Sequence, residues 1–568
     1  MSFTQFKTVA PTGRPKQEND SSTKDIRSRQ IDELVRISED TRRDVYGPTH
    51  DLDCANFYNL FERTRRMPTF RPVIKAPQLQ LLLLAEAADA TDTNMRVFIH
   101  KKDERDKEKE KAFQENWKKE FYNLHLLMSQ VYAQFSGTSF LQVGNDTLAN
   151  RGNGKVWMRA RRQGNVYVDP VSPWSEDWSW VVIEDFVYLD KIRKELPDHA
   201  DNISKATARS VNMAGAAAGQ LEMPPGPMSV TQRGLPVGDE EETTEGVMKR
   251  RTCYCLDTTM RAITEKEAAL FMEKKLPVPE ALPKYPVGRM IVECEGTILA
   301  DGESWIPLPD MWPIVPVWAV PPWDTVWCPA PMKYTKSLQD AAEQQMTNTF
   351  ENAKRLNQGM MVVHESTGVT ANSIGGLPGE IVVVAANSPP GAGIDIKFPP
   401  PFPAQMITLP QAYLSLQKEL RGATPARQGQ MAPGNVGPDL FESAVSQSQA
   451  GTRLTARFFA YSVQKIVDVL FYTMSKAFTE ERTFRDGDKV AKWEPDSAAE
   501  EYQVQVPEGA VRPMSQSALR SMVIELKKAS MIDTRHALQM LDVPDADEIA
   551  EAIEAEMKLA AIAKGVKK

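Results

Sequence analysis

The chain has little cysteine and little histidine, and both scarcities exclude chemistry. Among 568 residues there are five cysteines (Cys54, Cys253, Cys255, Cys294, Cys328) and six histidines. An odd count with no CxxC pair fits a reducing cytoplasm and argues against a disulfide framework. Cys253 and Cys255 read as same-face neighbours on a strand, in a buried structural role rather than a metal site. The histidines His50, His100, His125, His199, His364 and His536 fall in different elements, none at metal-ligand spacing with another His or Cys. His125 reads as a packed or surface helix residue, not a base.

Catalytic motifs are missing too. There is no Walker P-loop, GxGxxG, GxSxG or HExxH. The carboxylates Asp169, Glu176, Asp177, Glu184 and Asp185 sit among Trp174, Trp178 and Trp180. That strand-turn pattern reads as solvated turn acids, without the base and phosphate clamp that a metal nuclease would need. The sequence therefore predicts no enzyme, no cofactor and no metal.

Long apolar runs are absent. The first residues lack the apolar region of a secretory signal. Leu79–Ala85 is too short to span a bilayer, and Met311–Trp327 is broken by Pro313, Pro316, Pro321 and Pro322. A soluble protein with no membrane partner is expected. Positive charge is not in excess either. With 68 basic and 76 acidic residues the net charge is −8. Proteins that grip nucleic-acid phosphates over their whole surface are usually basic; one that handles DNA loosely is not excluded.

What is present is a globular composition, 42% hydrophobic and 25% charged, with 40 prolines and 31 glycines. The length suggests about three to five domains. Residues 1–24 read as a flexible arm. Helices are expected at Asp25–Tyr46, stopped by Gly47-Pro48, at Asn56–Met67, and as one long charged helix at Lys102–Phe135. The mixed-sign run from Lys101 reads as a solvated helix face.

Strands follow at Gly137–Val143, Val156–Ala160 and Val166–Asp169, then a helix near Leu189. Ala206–Glu245 is low in complexity and reads as a disordered insertion. Beyond it come a strand at Arg251–Leu256, a helix from Thr264 with a Thr264/Glu267 capping box, and strands at Arg289–Glu295 and Thr297–Leu299.

The second half is more helical. Tyr334–Asn357 is amphipathic and, at ~1.5 Å per residue, roughly 36 Å long. A glycine-punctuated strand unit runs from Met360 to Phe398. Thr408 with Pro410 marks a second helix start, running to Leu420-Arg421. An acid-free loop, Ala423–Pro438, leads into the longest helix, Phe441–Glu480. A strand at Glu501–Pro507 precedes helices at Ser515–Ala529, Thr534–Leu541 and Ala546–Ala563.

The order of helix, small strand unit, helix, acid-free loop, very long helix, strand and terminal helices resembles a tailed-bacteriophage portal protein, from about Ile26 onward. Gly137-Thr-Ser-Phe-Leu-Gln-Val with Val168-Asp-Pro, Tyr285-Pro-Val-Gly-Arg-Met-Ile-Val with Met311-Trp-Pro-Ile-Val-Pro-Val, and Tyr502-Gln-Val-Gln-Val-Pro with Ile532-Asp-Thr carry the resemblance. It implies an α+β fold: a flexible arm (1–25), an α/β wing (26–332), stem helix 1 (333–357), a small α/β clip (358–401), stem helix 2 (402–421), a channel loop (422–440), the long wing helix and strand (441–509) and an α-helical crown (510–568).

The resemblance further implies a dodecameric ring at one capsid vertex of the virion, assembled in the host cytoplasm. Genomic double-stranded DNA would be packaged and ejected through its channel. Its partners would be the terminase large subunit, head–tail adaptor and tail proteins, and major capsid and scaffolding proteins. Another virion structural protein, a tail or head-completion component without a channel, is the alternative. A conduit needs sparse contacts that slide, so Lys336, Lys354, Arg355, Arg421, Arg427 and Gln430 are the expected channel-lining residues, with Glu343 and Glu351 limiting the attraction. The competing expectation is that such charges cap the helix or form ion pairs.

Overall fold

A computed structural model describes residues 26–54, 74–91, 97–146, 154–192, 247–263, 281–363, 394–397, 403–421, 450–506 and 523–555, short breaks within some spans excepted. The expected arm, the helices at Asn56–Met67 and from Thr264, the low-complexity insertion and the acid-free loop lie outside them, as does most of the chain expected to form the terminal helices.

In chain order the helices are α1 (Ile26–Tyr46), α2 (Gln78–Thr91), α3 (Lys107–Lys119), α4 (Tyr122–Ser136), α5 (Pro331–Gln358), α6 (Ala404–Leu420) and α7 (Ala450–Ala477). The strands are β1 (Phe98–Lys101), β2 (Glu104–Arg105), β3 (Thr138–Asp146), β4 (Lys155–Arg162), β5 (Val166–Val168), β6 (Trp180–Tyr188), β7 (Val247–Cys255), β8 (Met260–Ala262), β9 (Ala281–Pro283), β10 (Arg289–Cys294), β11 (Thr297–Glu303), β12 (Ile314–Trp318), β13 (Met360–Val363), β14 (Ile394–Lys397), β15 (Arg482–Asp486), β16 (Lys489–Trp493) and β17 (Tyr502–Gln505). The fold mixes helix and sheet, as an α+β protein does.

The chain divides into two compact units. The first comprises residues 1–52, 162–313 and 323–327; the second comprises 53–161, 314–322 and 328–568.

The first unit is built on an antiparallel five-stranded sheet in the order β11-β10-β7-β6-β5. Helix α1 packs on it through Ile31 and Val35, which meet Tyr167, Trp180, Val182, Cys253 and Ile291. Gly47, at φ +86°, ends α1 in the left-handed region that a residue without Cβ enters cheaply.

Charge completes the docking. In register, Arg251 of the central strand stands opposite Glu184 of β6 on one side and Glu293 of β10 on the other. Arg251 Nη1 reaches Asp32 of α1 at 2.5 Å and its Nε reaches Glu184 at 3.3 Å. Lys249 Nζ lies 2.7 Å from Glu184, and Ser28 Oγ donates to Glu293 at 2.7 Å. Next to Arg251, Arg250 stands opposite Asp185, 3.7 Å away. Arg27 of α1 and Arg289 of β10 share Asp301.

These contacts correct one reading. Glu184 and Asp185 are not solvated turn acids but strand residues holding arginines, and Asp169 is buried. Asp169 accepts the N–H groups of Val171 and Ser179, and Asp177 accepts the Ser172 hydroxyl at 2.6 Å. Burial, which outweighs its donors, holds the Glu293 carboxyl above its ordinary pKa.

The second unit contains a three-stranded sheet, β12-β3-β4. Helix α7 covers it with Phe459, Val463, Ile466, Val467 and Leu470, all buried. Ser462 Oγ donates to the Pro316 carbonyl at 2.7 Å, and Trp318 stacks on Tyr461 with ring centroids 6.1 Å apart. A smaller sheet joins β1 to β17 and β2, with α3 packed on it; Glu110 Oε1 accepts the Ile99 N–H and the Arg105 guanidinium.

The single long helix expected over Lys102–Phe135 is a short strand and two helices. Asp106 caps α3 by accepting the Lys109 N–H at 3.0 Å. Phe121, at φ +54°, then turns the chain before α4. The turn lets Trp117 meet Tyr122 edge-on, with centroids 5.2 Å apart, a contact that one straight helix would not make. Gly137, at φ +93°, closes α4 by donating to the Ala133 carbonyl.

Candidate functional site

The residues expected to act lie in and around α5 and α6 of the second unit. Helix α5 continues into β13, which pairs antiparallel with β14 (Met360↔Lys397 to Val363↔Ile394). The chain then returns through α6, which packs along α5. The β-ribbon thus sits between two helices of one hairpin. Helix α6 starts at Ala404, ahead of the expected start at Thr408–Pro410, with Pro403 at its N-cap and Pro410 inside. Sequence reasoning placed the proline at a helix start because its missing N–H costs nothing there. Here the ring is buried in the helix's contact face.

Beyond Pro331 and Met332 at its start, the buried positions of α5 are Thr335, Gln339, Ala342 and Thr347, with Glu343 half-buried beside them, so most of this stripe is polar. Each polar group has work to do. Gln339 Nε2 donates to Glu343 Oε1 at 2.7 Å and to the Ala76 carbonyl. Glu343 Oε1 also accepts the Ala76 N–H, and Thr347 Oγ1 accepts the Ile74 N–H at 3.3 Å. Residues 74–76 therefore lie along α5 with their backbone satisfied by side chains. From α6, Gln417 Nε2 donates to Gln339 Oε1 at 3.2 Å and to the Thr335 carbonyl at 3.4 Å.

Two of the six expected channel residues carry ion pairs within the chain. Lys336 Nζ lies 2.5 Å from Asp53. Arg421, in the C-cap position of α6, pairs with Glu86 of α2 and donates to Gln134 Oε1 of α4 at 3.2 Å. Lys354 is exposed near the far end of α5, its ammonium 4.8 Å from the centroid of the Phe350 ring. Arg355 belongs to the same helix, but its side chain lies outside the described residues, as do Arg427 and Gln430. Glu343 is half-buried and holds Gln339 and the Ala76 N–H rather than standing as an open surface charge.

Several apolar side chains of the hairpin are exposed: Tyr334 and Phe350 on α5, and Met406, Ile407, Leu416 and Leu420 on α6. Much of the bonding between the two helices is polar, while several of their apolar side chains are exposed, unlike an isolated amphipathic pair. Sequence reading missed this, as it missed Glu86, Gln134 and Asp53. Tyr334–Asn357 read only as amphipathic, and its apolar and polar residues interleave, so periodicity alone did not rank them.

Among the described residues, no group of three or more His, Cys, Asp and Glu could hold a metal ion. The pKa of His125 is lowered by burial and by Arg159, which leaves the ring neutral near pH 7. Of the described helices, none is long and apolar enough to cross a membrane. The model of the phage P22-like portal protein family matches residues 132–565. No curated protein matches the chain.

Proposed function

The chain belongs to the phage P22-like portal protein family, and from that premise we propose that it forms a dodecameric ring at one capsid vertex through which double-stranded DNA is packaged and ejected. The family is structural and non-enzymatic, and it implies a homo-oligomer at the capsid vertex with capsid and packaging partners. The observation that carries the finer reading is the hairpin of α5, the β13–β14 ribbon and α6. In the proposal α5 and α6 are the stem helices (333–357 and 402–421) and the ribbon belongs to the clip (358–401). Residues 422–440 form the channel loop, 26–332 and 441–509 the wing, and 510–568 the crown.

The exposed apolar side chains on α5 and α6 support an assembled state. A ring built from heterologous contacts needs each subunit to offer two different faces to its neighbours. The terminase large subunit docks on the ring during packaging, and adaptor and tail proteins follow at the clip. Lys354, Arg355, Arg427 and Gln430 supply sparse contacts to passing phosphates, while the acidic bulk discourages adhesion. Lys336 and Arg421, which have carboxylate partners, have less charge to offer.

Negative-stain electron microscopy and mass photometry of the purified chain test the proposal. A ring with a narrow axial channel and about twelve times the 63.6 kDa subunit mass is the expected result. A monomer at every concentration refutes it. A ringless oligomer incorporated into tails favours the alternative virion component.

A further inference from the structure

Helix α6 is buried against or bonded to the rest of its unit along a stripe spaced four, four, three and four residues apart: Met406, Pro410, Leu414, Gln417 and Arg421. Side-chain hydrogen bonds and an ion pair secure that stripe. Gln78 of α2 donates to the Leu414 carbonyl at 2.9 Å, Gln417 to Gln339, and Arg421 to Glu86 and Gln134. The large apolar residues Ile407, Leu416 and Leu420 lie off that stripe and are exposed.

Apolar contacts are non-directional and tolerate a slip along the helix axis. Charged and amide groups buried at a helix interface fix one register, because any slip leaves them unpaired. Arg421 closes this series at the end of α6, with its side chain 10% exposed and that of Glu86 16% exposed.

We propose that Arg421 is a positioning residue and not a phosphate contact. Paired with Glu86, it fixes the register and the end point of α6, and so fixes where residues 422–440 begin. A phosphate approaching Arg421 would compete with a carboxylate at ion-pair distance, and drawing the guanidinium away would set an anion beside the largely buried Glu86 carboxylate. The role of residues 422–440 rests on the portal reading above; the pairing itself does not.

The test compares the full-length R421M, E86M, R421E and E86R variants with two doubles, the swap E86R/R421E and the apolar pair E86M/R421M. Thermal unfolding and packaging of DNA into heads built with each variant are the two readouts. Each single is expected to lower Tm by about 5 °C and to reduce packaging at least tenfold. At least one double is expected to recover most of both. A phosphate contact predicts the opposite: neither double carries a cation at 421, so packaging stays as low as in R421M even where Tm returns.

That result overturns the proposal, as does a Tm that neither double restores. Wild-type protein that builds no ring and packages no DNA would refute the portal reading instead, and the Tm comparison would still decide the pairing.

Discussion

Replacing Arg251 by methionine should cost the first unit about 3–5 kcal/mol at pH 8. The number follows from the surroundings of the guanidinium. Asp32, Glu184 and Glu293 lie 2.5, 3.3 and 3.8 Å from it, and the side chains of Glu184 and Glu293 are 7% and 4% exposed. The variant keeps similar bulk but takes from three carboxylates the cation they share, while Lys249 stays 2.7 Å from Glu184. Removing one partner of a buried ion pair typically costs 3–5 kcal/mol, whereas replacing the whole set by neutral groups is often harmless. For a unit of this size the loss lowers Tm by about 10 °C.

The pH dependence carries the sharper test. Burial already raises the Glu293 pKa, and losing Arg251 raises it further. A carboxyl whose folded pKa is raised stabilises the fold at low pH relative to high, and that advantage is lost as pH rises through the folded pKa. The deficit of R251M should therefore shrink from pH 8 to pH 5, and R251M/E184Q/E293Q should recover most of it at pH 8. Calorimetry of the full-length protein across that range is the assay. A deficit below 1 kcal/mol, or one independent of pH, refutes the argument that these charges lock α1 onto the sheet.

Other outcomes follow from single sites. Asp468 of α7 is raised to about 6 by burial, against the opposing donor Gln464 and nearby Lys465. D468N should gain about 3 kcal/mol at pH 8 and no more than about 1 kcal/mol at pH 4.5, read from urea midpoints; an equal gain at both contradicts it. A Cβ at Gly144 would lie 2.2 Å from the Trp157 ring, so G144A should lose about 2–3 kcal/mol through overpacking, checked by the same melts. Phe121 is 72% exposed at φ +54°, so F121G should be neutral or stabilise by up to about 1 kcal/mol. Cys255 is half-buried, and its thiol pKa is lowered by the Cys253 thiol and by Arg289. Iodoacetamide should label it before the buried Cys253, Cys294 and Cys328, as peptide mass spectrometry of the native protein would reveal.

Local structure was legible where one rule dominated. Gly47 ended α1, the runs at Phe140–Val143 and Val166–Val168 were buried strands, and the amphipathic stretch from Tyr334 formed a helix. Legibility failed where a partner far along the chain decided the outcome. The break at Phe121 depends on how Trp117 and Tyr122 pack, not on any helix breaker. The hairpin β15–β16 was missed although Asp486-Gly487-Asp488 offers a two-residue turn signal between its strands. Glu184 and Asp185 looked like turn acids until the register put Arg250 and Arg251 opposite them. The candidate site was read as a set of cations because charge is visible in sequence; Asp53 and Glu86, which answer two of them, are separated from them by hundreds of residues.

The pairing of β1 with β17 sets an order of events during synthesis. Lys109 donates to the Tyr502 hydroxyl at 2.7 Å across a separation of 393 residues, and Phe98 faces Gln505. All the strands of the five-stranded sheet and α1 have been translated by Glu303, and the remainder of that unit by Trp327. At ~5–20 residues per second, the edge of β1 waits ~20–80 s for its partner. For that interval the nascent protein holds one finished body and another with an open strand edge and an uncovered apolar layer awaiting α7. Mutations or codon changes that slow the ribosome after Trp327 should therefore act on yield rather than on the stability of the finished protein.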